Sequence, residues 1–172
     1  MLARISAVLE RALQAFVIVL MITLTVVVVV AVVYRKGGSS LVWYDEIASV
    51  LLAWLTYYGA ALAALNRAHI GFDGLVRVMP PGLRLAAFLF AEFCVFVFFA
   101  VLAWTGWVVL RVLAGDTLVS LTWVPVQVTQ SVIPIGATLF IVCQALSLPG
   151  QWRDLRDGPA QESAAKSVGA DP

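Results

Sequence analysis

The sequence predicts an all-α integral membrane protein: four tilted transmembrane helices, a short interfacial amphipathic helix, and both termini in the cytoplasm. Three observations carry that reading. Hydrophobic residues make up 62% of the chain and charged residues only 12%, with a mean hydropathy of +0.98, whereas a soluble domain carries roughly a quarter charged residues. Four apolar runs, about 13–34, 47–65, 85–110 and 126–148, are each long enough as helix to cross a hydrocarbon core of ~30 Å. Lysine and arginine are distributed unevenly about those runs, eight on the side shared by the N-terminus, the second connection and the C-terminus, and three on the other. The positive-inside rule then places both termini in the cytoplasm. A net charge of +1 gives no reason to expect nucleic acid as a partner.

The first run follows a short segment holding Arg4, Glu10 and Arg11 and contains no charge from 13 to 34. It exceeds the ~7–15 residues of a signal-peptide core, and no small-x-small site precedes Arg35, so it reads as a retained span. Val26 to Val30 would favour a strand in water, but in lipid the backbone must satisfy itself and a helix results. Residues 35–40, RKGGSS, form a turn by composition.

The second run opens on Trp43, Tyr44, Asp45 and Glu46, stays uncharged for about 28 Å of helix rise, and closes on Asn66, Arg67, His69 and Asp73. It is thus a span with acids at one mouth and a basic, polar cluster at the other. Phe72, Leu75, Val76 and Met79 then recur at helical spacing, with Asp73 and Arg77 four apart on another face. This is the interfacial helix, stopped by Pro80-Pro81.

The third run is interrupted only by Glu92. At about 39 Å it must tilt or project, and Trp104 and Trp107 suit an aromatic belt near its far end. Gly115-Asp116 marks the next turn. The fourth run carries Pro134, which removes a backbone hydrogen bond and should bend the helix. Beyond it, residues 150–172 turn polar and small, and they read as a disordered cytoplasmic tail separate from the membrane domain 1–149.

Several residues stand out chemically. A carboxylate inside a span is costly and marks function or a partner. For Glu92 the sharp reading is a proton-coupling acid. The favoured one is a glutamate near the inner leaflet that pairs with Arg67 or His69 or reaches the headgroups, because one membrane acid makes a poor relay. His69, the only histidine, excludes bis-histidine haem within this chain and suits a hydrogen bond at the cytoplasmic end of the second span. Gly59/Ala63 and Ala60/Ala64 form two small-xxx-small pairs that permit close helix approach. Gln127, Ser131, Pro134 and Thr138 make a polar stripe that must face protein, either this chain's own helices or another subunit. Trp54, near mid-span, is a packing residue. Cys94 and Cys143 lie in apolar runs without CxxC spacing and read as small buried hydrophobes. No Walker, GxSxG, HExxH or dinucleotide pattern occurs, so the chain is expected to be no enzyme and to hold no cofactor or metal.

Arg35, Trp43, Asp45-Glu46, Trp54, Gly59-Ala60 and Arg67-Ala68-His69-Ile70-Gly71-Phe72-Asp73 resemble the small membrane subunit of tripartite ATP-independent periplasmic (TRAP) transporters, the DctQ-like family. Ile133-Pro134-Ile135-Gly136 in the fourth run adds to the likeness, which extends from about 35 to 148. One departure is Ser49, where family members often carry an arginine, so an ionic partner for Glu46 would have to come from Arg35, Lys36 or another chain.

The resemblance implies a bacterial inner-membrane scaffold subunit without catalysis of its own. It packs against a large multi-span subunit that binds substrate and sodium, and a periplasmic solute-binding protein delivers a carboxylate-bearing organic acid. On that view Asp45 and Glu46 dock the binding protein or fix the mouth of the second span, while Arg67, His69 and Asp73 organise the cytoplasmic ledge. The rival readings are a stand-alone proton-coupled antiporter using Glu92 and a membrane anchor of another complex. The first conflicts with a first span that carries no acid.

Overall fold

The computed structural model describes residues 2–39, 41–66 and 80–168 of the chain, with side chains for 6–39, 41–66, 80 and 82–150. Arg67, His69, Asp73 and the predicted interfacial helix lie outside the described residues. Five helices follow one another: α1 (Leu2–Lys36), α2 (Tyr44–Leu65), α3 (Pro81–Val112), the single turn α4 (Val126–Gln130) and α5 (Val132–Val168). Four stretches, Ser6–Lys36, Tyr44–Leu65, Gly82–Val112 and Val126–Gly150, are long and apolar enough to cross a membrane.

The helices are longer than their apolar runs. α1 begins before the charged residues Glu10 and Arg11, where Gln14 Nε2 donates to Glu10 Oε1 one turn back at 3.1 Å. Within the span Thr23 and Thr25 donate their hydroxyls to the carbonyls of Val19 and Met21, each at 2.8 Å. That local bond is how a threonine enters hydrocarbon without an orphan donor. α1 ends where the composition indicates. Gly38 adopts φ +84°, Ser39 N–H donates to Tyr34 O at 3.1 Å, and Gly38 N–H donates to Arg35 O at 3.3 Å. A left-handed residue closing the last carbonyls in this way favours glycine, which carries no Cβ.

α5 departs from the expectation for the C-terminal segment. Its backbone stays helical to Val168, through much of the stretch read as a disordered tail. Adding residues to an existing helix avoids the nucleation cost, and Gln, Arg, Ala, Glu and Lys in this segment are good helix formers.

The helices pack as an open row. α1 lies on α2, α2 on α5 and α5 on α3, with only slight contact between α1 and α5. The buried core lies toward the α1 N-terminal end and comprises Leu13, Ala61, Ala64, Phe140 and Cys143, with Tyr58, Ala60, Val95 and Phe99 against it. Phe99 and Phe140 stack at 3.7 Å and 9°, joining α3 to α5, and Phe16 meets Tyr58 edge-on at 4.7 Å, joining α1 to α2. The two cysteines part company: Cys143 is buried, but Cys94 is exposed on α3.

Two glycines set the helix crossings. A Cβ on Gly136 would sit 2.7 Å from Tyr57 Cβ, and one on Gly106 would sit 2.8 Å from Ile133 Cγ2 and 2.9 Å from Pro134 Cδ. Gly59, by contrast, has nothing within 4 Å of where its Cβ would lie. We therefore expect Gly136→Ala and Gly106→Ala each to destabilise the detergent-solubilised chain by about 1–3 kcal/mol through overpacking. Gly59→Ala should leave it unchanged or slightly more stable. Thermal unfolding of the three variants checks the contrast.

Candidate functional site

The most organised polar structure lies at the end of the row where α2 begins. The α3–α4 connection folds back on itself there: Gly115 turns at φ +102°, Leu118 N–H donates to Val124 O and Val126 N–H to Asp116 O, each at 3.0 Å. Leu118 tucks inward while Val119 and Trp123 stand 92% and 79% exposed. Glu46, in the first turn of α2, reaches across to this loop. Its Oε1 accepts from Val119 N–H at 2.9 Å and its Oε2 from Ser120 N–H at 2.9 Å, with the Ser120 hydroxyl donating to Oε2 as well.

A carboxylate receiving two adjacent backbone N–H groups and a hydroxyl forms charge-assisted hydrogen bonds, stronger than neutral ones. Glu46 also complements the positive end of the α2 dipole. Its partner is therefore a neutral loop rather than Arg35 or Lys36, which corrects the expectation raised by the missing arginine. Ser49, in the arginine's place, donates its hydroxyl to Glu46 O at 2.8 Å within its own helix. Asp45 is exposed, and Trp43 supplies the carbonyl that accepts Ile47 N–H at 3.2 Å.

The helix is interrupted for one residue at Ser131, between α4 and α5 and three residues before Pro134, although Ser131 keeps helical dihedrals (φ −59°, ψ −22°) and its carbonyl accepts Ile135 N–H at 3.2 Å. Proline has no N–H to offer the carbonyl four residues back, and its ring crowds that turn. The Trp54 indole N–H donates to Thr129 O at 3.0 Å, one residue before Gln130, whose carbonyl Pro134 leaves without its helical donor. Mid-span, where water cannot serve, such a donor has structural weight. Trp54 thus both packs and donates a hydrogen bond. Gln127 Nε2 donates to Leu110 O at 3.1 Å, tying α4 to α3. Ser131 and Thr138 satisfy themselves locally, on Val128 O at 2.7 Å and Pro134 O at 2.7 Å. The polar stripe is accordingly a set of backbone bonds around the break.

Of the two small-residue pairs, Ala60/Ala64 lies at the core, where Ala64 is fully buried beside Ala61 and Ala60 packs against them, while Gly59 and Ala63 are only half-buried.

Glu92 is half-buried on α3. Gln144 Nε2 on α5 donates to both of its oxygens, at 2.8 and 3.0 Å. The expected partners Arg67 and His69 lie outside the described residues. Gln144, which sequence reasoning missed, is 96% buried, with a relative exposure of 4%. The available signal was a glutamine and Ser147 three residues apart inside an otherwise apolar run, facing a span with an unpaired acid. Among the described residues no cluster of three or more metal-ligating side chains occurs. Two surface clefts are present, about 400 Å³ beside Trp107, Arg111 and Gln127 and about 280 Å³ between Ser49, Tyr57 and Gln130.

Four membrane-crossing helices and a polar latch at one end define a multi-pass membrane protein. Its family follows from comparison: the model of the DctQ component of tripartite ATP-independent periplasmic transporters matches residues 24–154. The chain belongs to that family, whose members are small components of TRAP transporters. No curated protein matches it.

The Glu46 latch makes a direct prediction. In Glu46→Ala the amides of Val119 and Ser120 should exchange with solvent deuterium at least about tenfold faster, because their charged acceptor is gone. Amides in the core of α5 should be unaffected. Unchanged exchange at Val119 and Ser120 would show that the loop holds itself.

Proposed function

We propose that this chain is the immobile scaffold subunit of a bacterial inner-membrane TRAP importer for carboxylate-bearing organic acids. It acts with a large multi-span membrane subunit and a periplasmic solute-binding protein, with both of its termini in the cytoplasm. Sodium coupling and the substrate site belong to the large subunit. This chain holds neither cofactor nor catalytic residues.

The observation that carries the proposal is the open row of helices. α3 has no buried residue in its most apolar 18-residue window, and α1 only 11%. Each of these two outer helices packs mainly on one neighbour and turns its remaining face outward, to lipid and to a larger neighbour. Such a row supports a partner, but among the described residues it has no second helix layer with which to enclose a path. The half-buried Gly59 and Ala63 offer one close-approach surface to a partner helix, since nothing among the described residues lies within 4 Å of where a Cβ on Gly59 would sit.

Under this reading the latched loop is the outward face. Val119 and Trp123 are displayed beside Glu46, and Asp45 contributes an exposed acid to the same end. Exposed aromatic and apolar residues on a loop fixed by hydrogen bonds make a pre-organised contact for the binding protein. Arg67, His69 and Asp73 are assigned to the opposite, cytoplasmic end.

The test is recovery of the complex. A tagged chain purified in mild detergent should bring down the large membrane subunit in stoichiometric amount. Glu46→Gln should retain that subunit but lower uptake by the assembled transporter several-fold, as the weakened latch loosens the docking loop. If Glu46→Gln supports wild-type uptake, the docking role is wrong. If no large subunit co-purifies with the wild-type chain, the scaffold role is wrong.

A further inference from the structure

Glu92 and Gln144 form a polar pair inside the helix row whose hydrogen bonding is incomplete. Gln144 spends its amide N–H₂ on the two Glu92 oxygens. Its own Oε1 is sealed inside the protein with no donor. A carboxylate has about four lone-pair directions, and only Gln144 fills any of them among the described residues. Arg84 lies two turns earlier on the same helix, but it contributes no hydrogen bond to Glu92, and its own Nε is also without an acceptor.

Among the described residues no cation reaches the Glu92 carboxylate, and it keeps lone-pair directions that Gln144 does not fill. In a low-dielectric setting such a carboxylate attracts a cation far more strongly than a neutral donor. Glu92 is only half-buried, so part of the carboxylate opens on the outside of the row, among the exposed side chains of Leu89, Phe90 and Phe93. Its Cα lies about 12 Å of helix rise beyond Arg84 and about 15 Å beyond Gly82, where the span begins. The exposed apolar side chains around it suit a neighbouring transmembrane helix better than a lipid headgroup.

The geometry points to Glu92, held in place by Gln144, as the docking point for a lysine or arginine on a transmembrane helix of the large partner subunit. This rests on the scaffold reading above and deepens it, because it names the charge that the partner must bring. Gln144 is then a positioning residue. It fixes the carboxylate from the protein side and leaves the outer side free for the cation.

The test uses the full chain and the large subunit of the same transporter. Titration of labelled chain with that subunit in nanodiscs should give an apparent Kd at least about tenfold weaker for Glu92→Gln. Glu92→Asp and the exposed-surface control Val42→Leu, in the connection between α1 and α2, should stay near wild type. Because Glu92→Gln could disturb the row itself, a second measurement keeps Glu92 intact: a benzophenone amino acid at Phe93 is photo-activated in the complex. A cross-link to a membrane-embedded peptide that contains lysine or arginine is the expected result. Wild-type affinity in Glu92→Gln, or cross-links to lipid alone or to this chain's own segment 67–79, would overturn the assignment. Failure of the wild-type chain to bind the large subunit at all would overturn the scaffold reading itself.

Discussion

The hydrogen bonds that join α2 to the fourth span and to the loop before it are what the half of this structure where α2 begins depends on. A proline in a membrane helix frees a carbonyl and forces a break, and hydrocarbon offers no water to repair it. Here α2 reaches across beside that point. Trp54 donates to Thr129 O, one residue before the carbonyl that Pro134 leaves without its helical donor, and Glu46 holds the loop that leads into α4. Gln127 ties the same turn to Leu110 on α3. One helix therefore sets both the depth at which the fourth span begins and the shape of the surface above it.

The opposite half is organised by packing. Leu13, Ala61, Ala64, Phe140 and Cys143 meet where the helices are closest, and the Phe99–Phe140 stack draws α3 onto α5. Since lipid tails are as apolar as leucine, this association rests on close fit rather than on the hydrophobic effect. Gly136 against Tyr57 and Gly106 against Pro134 are where the fit is tightest. The result is a row with a packed seam and two outer helices, each bare on its outward face. That shape suits a component which enlarges a membrane assembly, and the family assignment gives the assembly its class.

Much of this was legible in the sequence. Charge-free runs gave the four spans, because the cost of burying charge in lipid leaves little freedom, and Trp43 with the two acids marked the mouth of α2. Pro134 marked the interruption of the fourth span to within three residues. What the chain did not disclose were the partners. Glu46 is held mainly by backbone N–H groups of a loop 73 and 74 residues away, and backbone donors look the same in every sequence. Gln144 was hidden by its apolar neighbours, although an acid in a facing span needed such a donor. Gly59/Ala63 and Ala60/Ala64 have the same spacing, but only the second pair reaches the core, where Ala61 joins it. Spacing tells which residues share a face, and only tertiary structure tells what that face meets.

The central claim is that these helices support transport without performing it. Reconstitution into sodium-loaded and sodium-free liposomes, with uptake of a labelled organic acid followed over time, tests this most directly. The account predicts no flux from the chain alone and sodium-dependent flux once the large subunit and the binding protein are added. Solute movement driven by the isolated chain would contradict it.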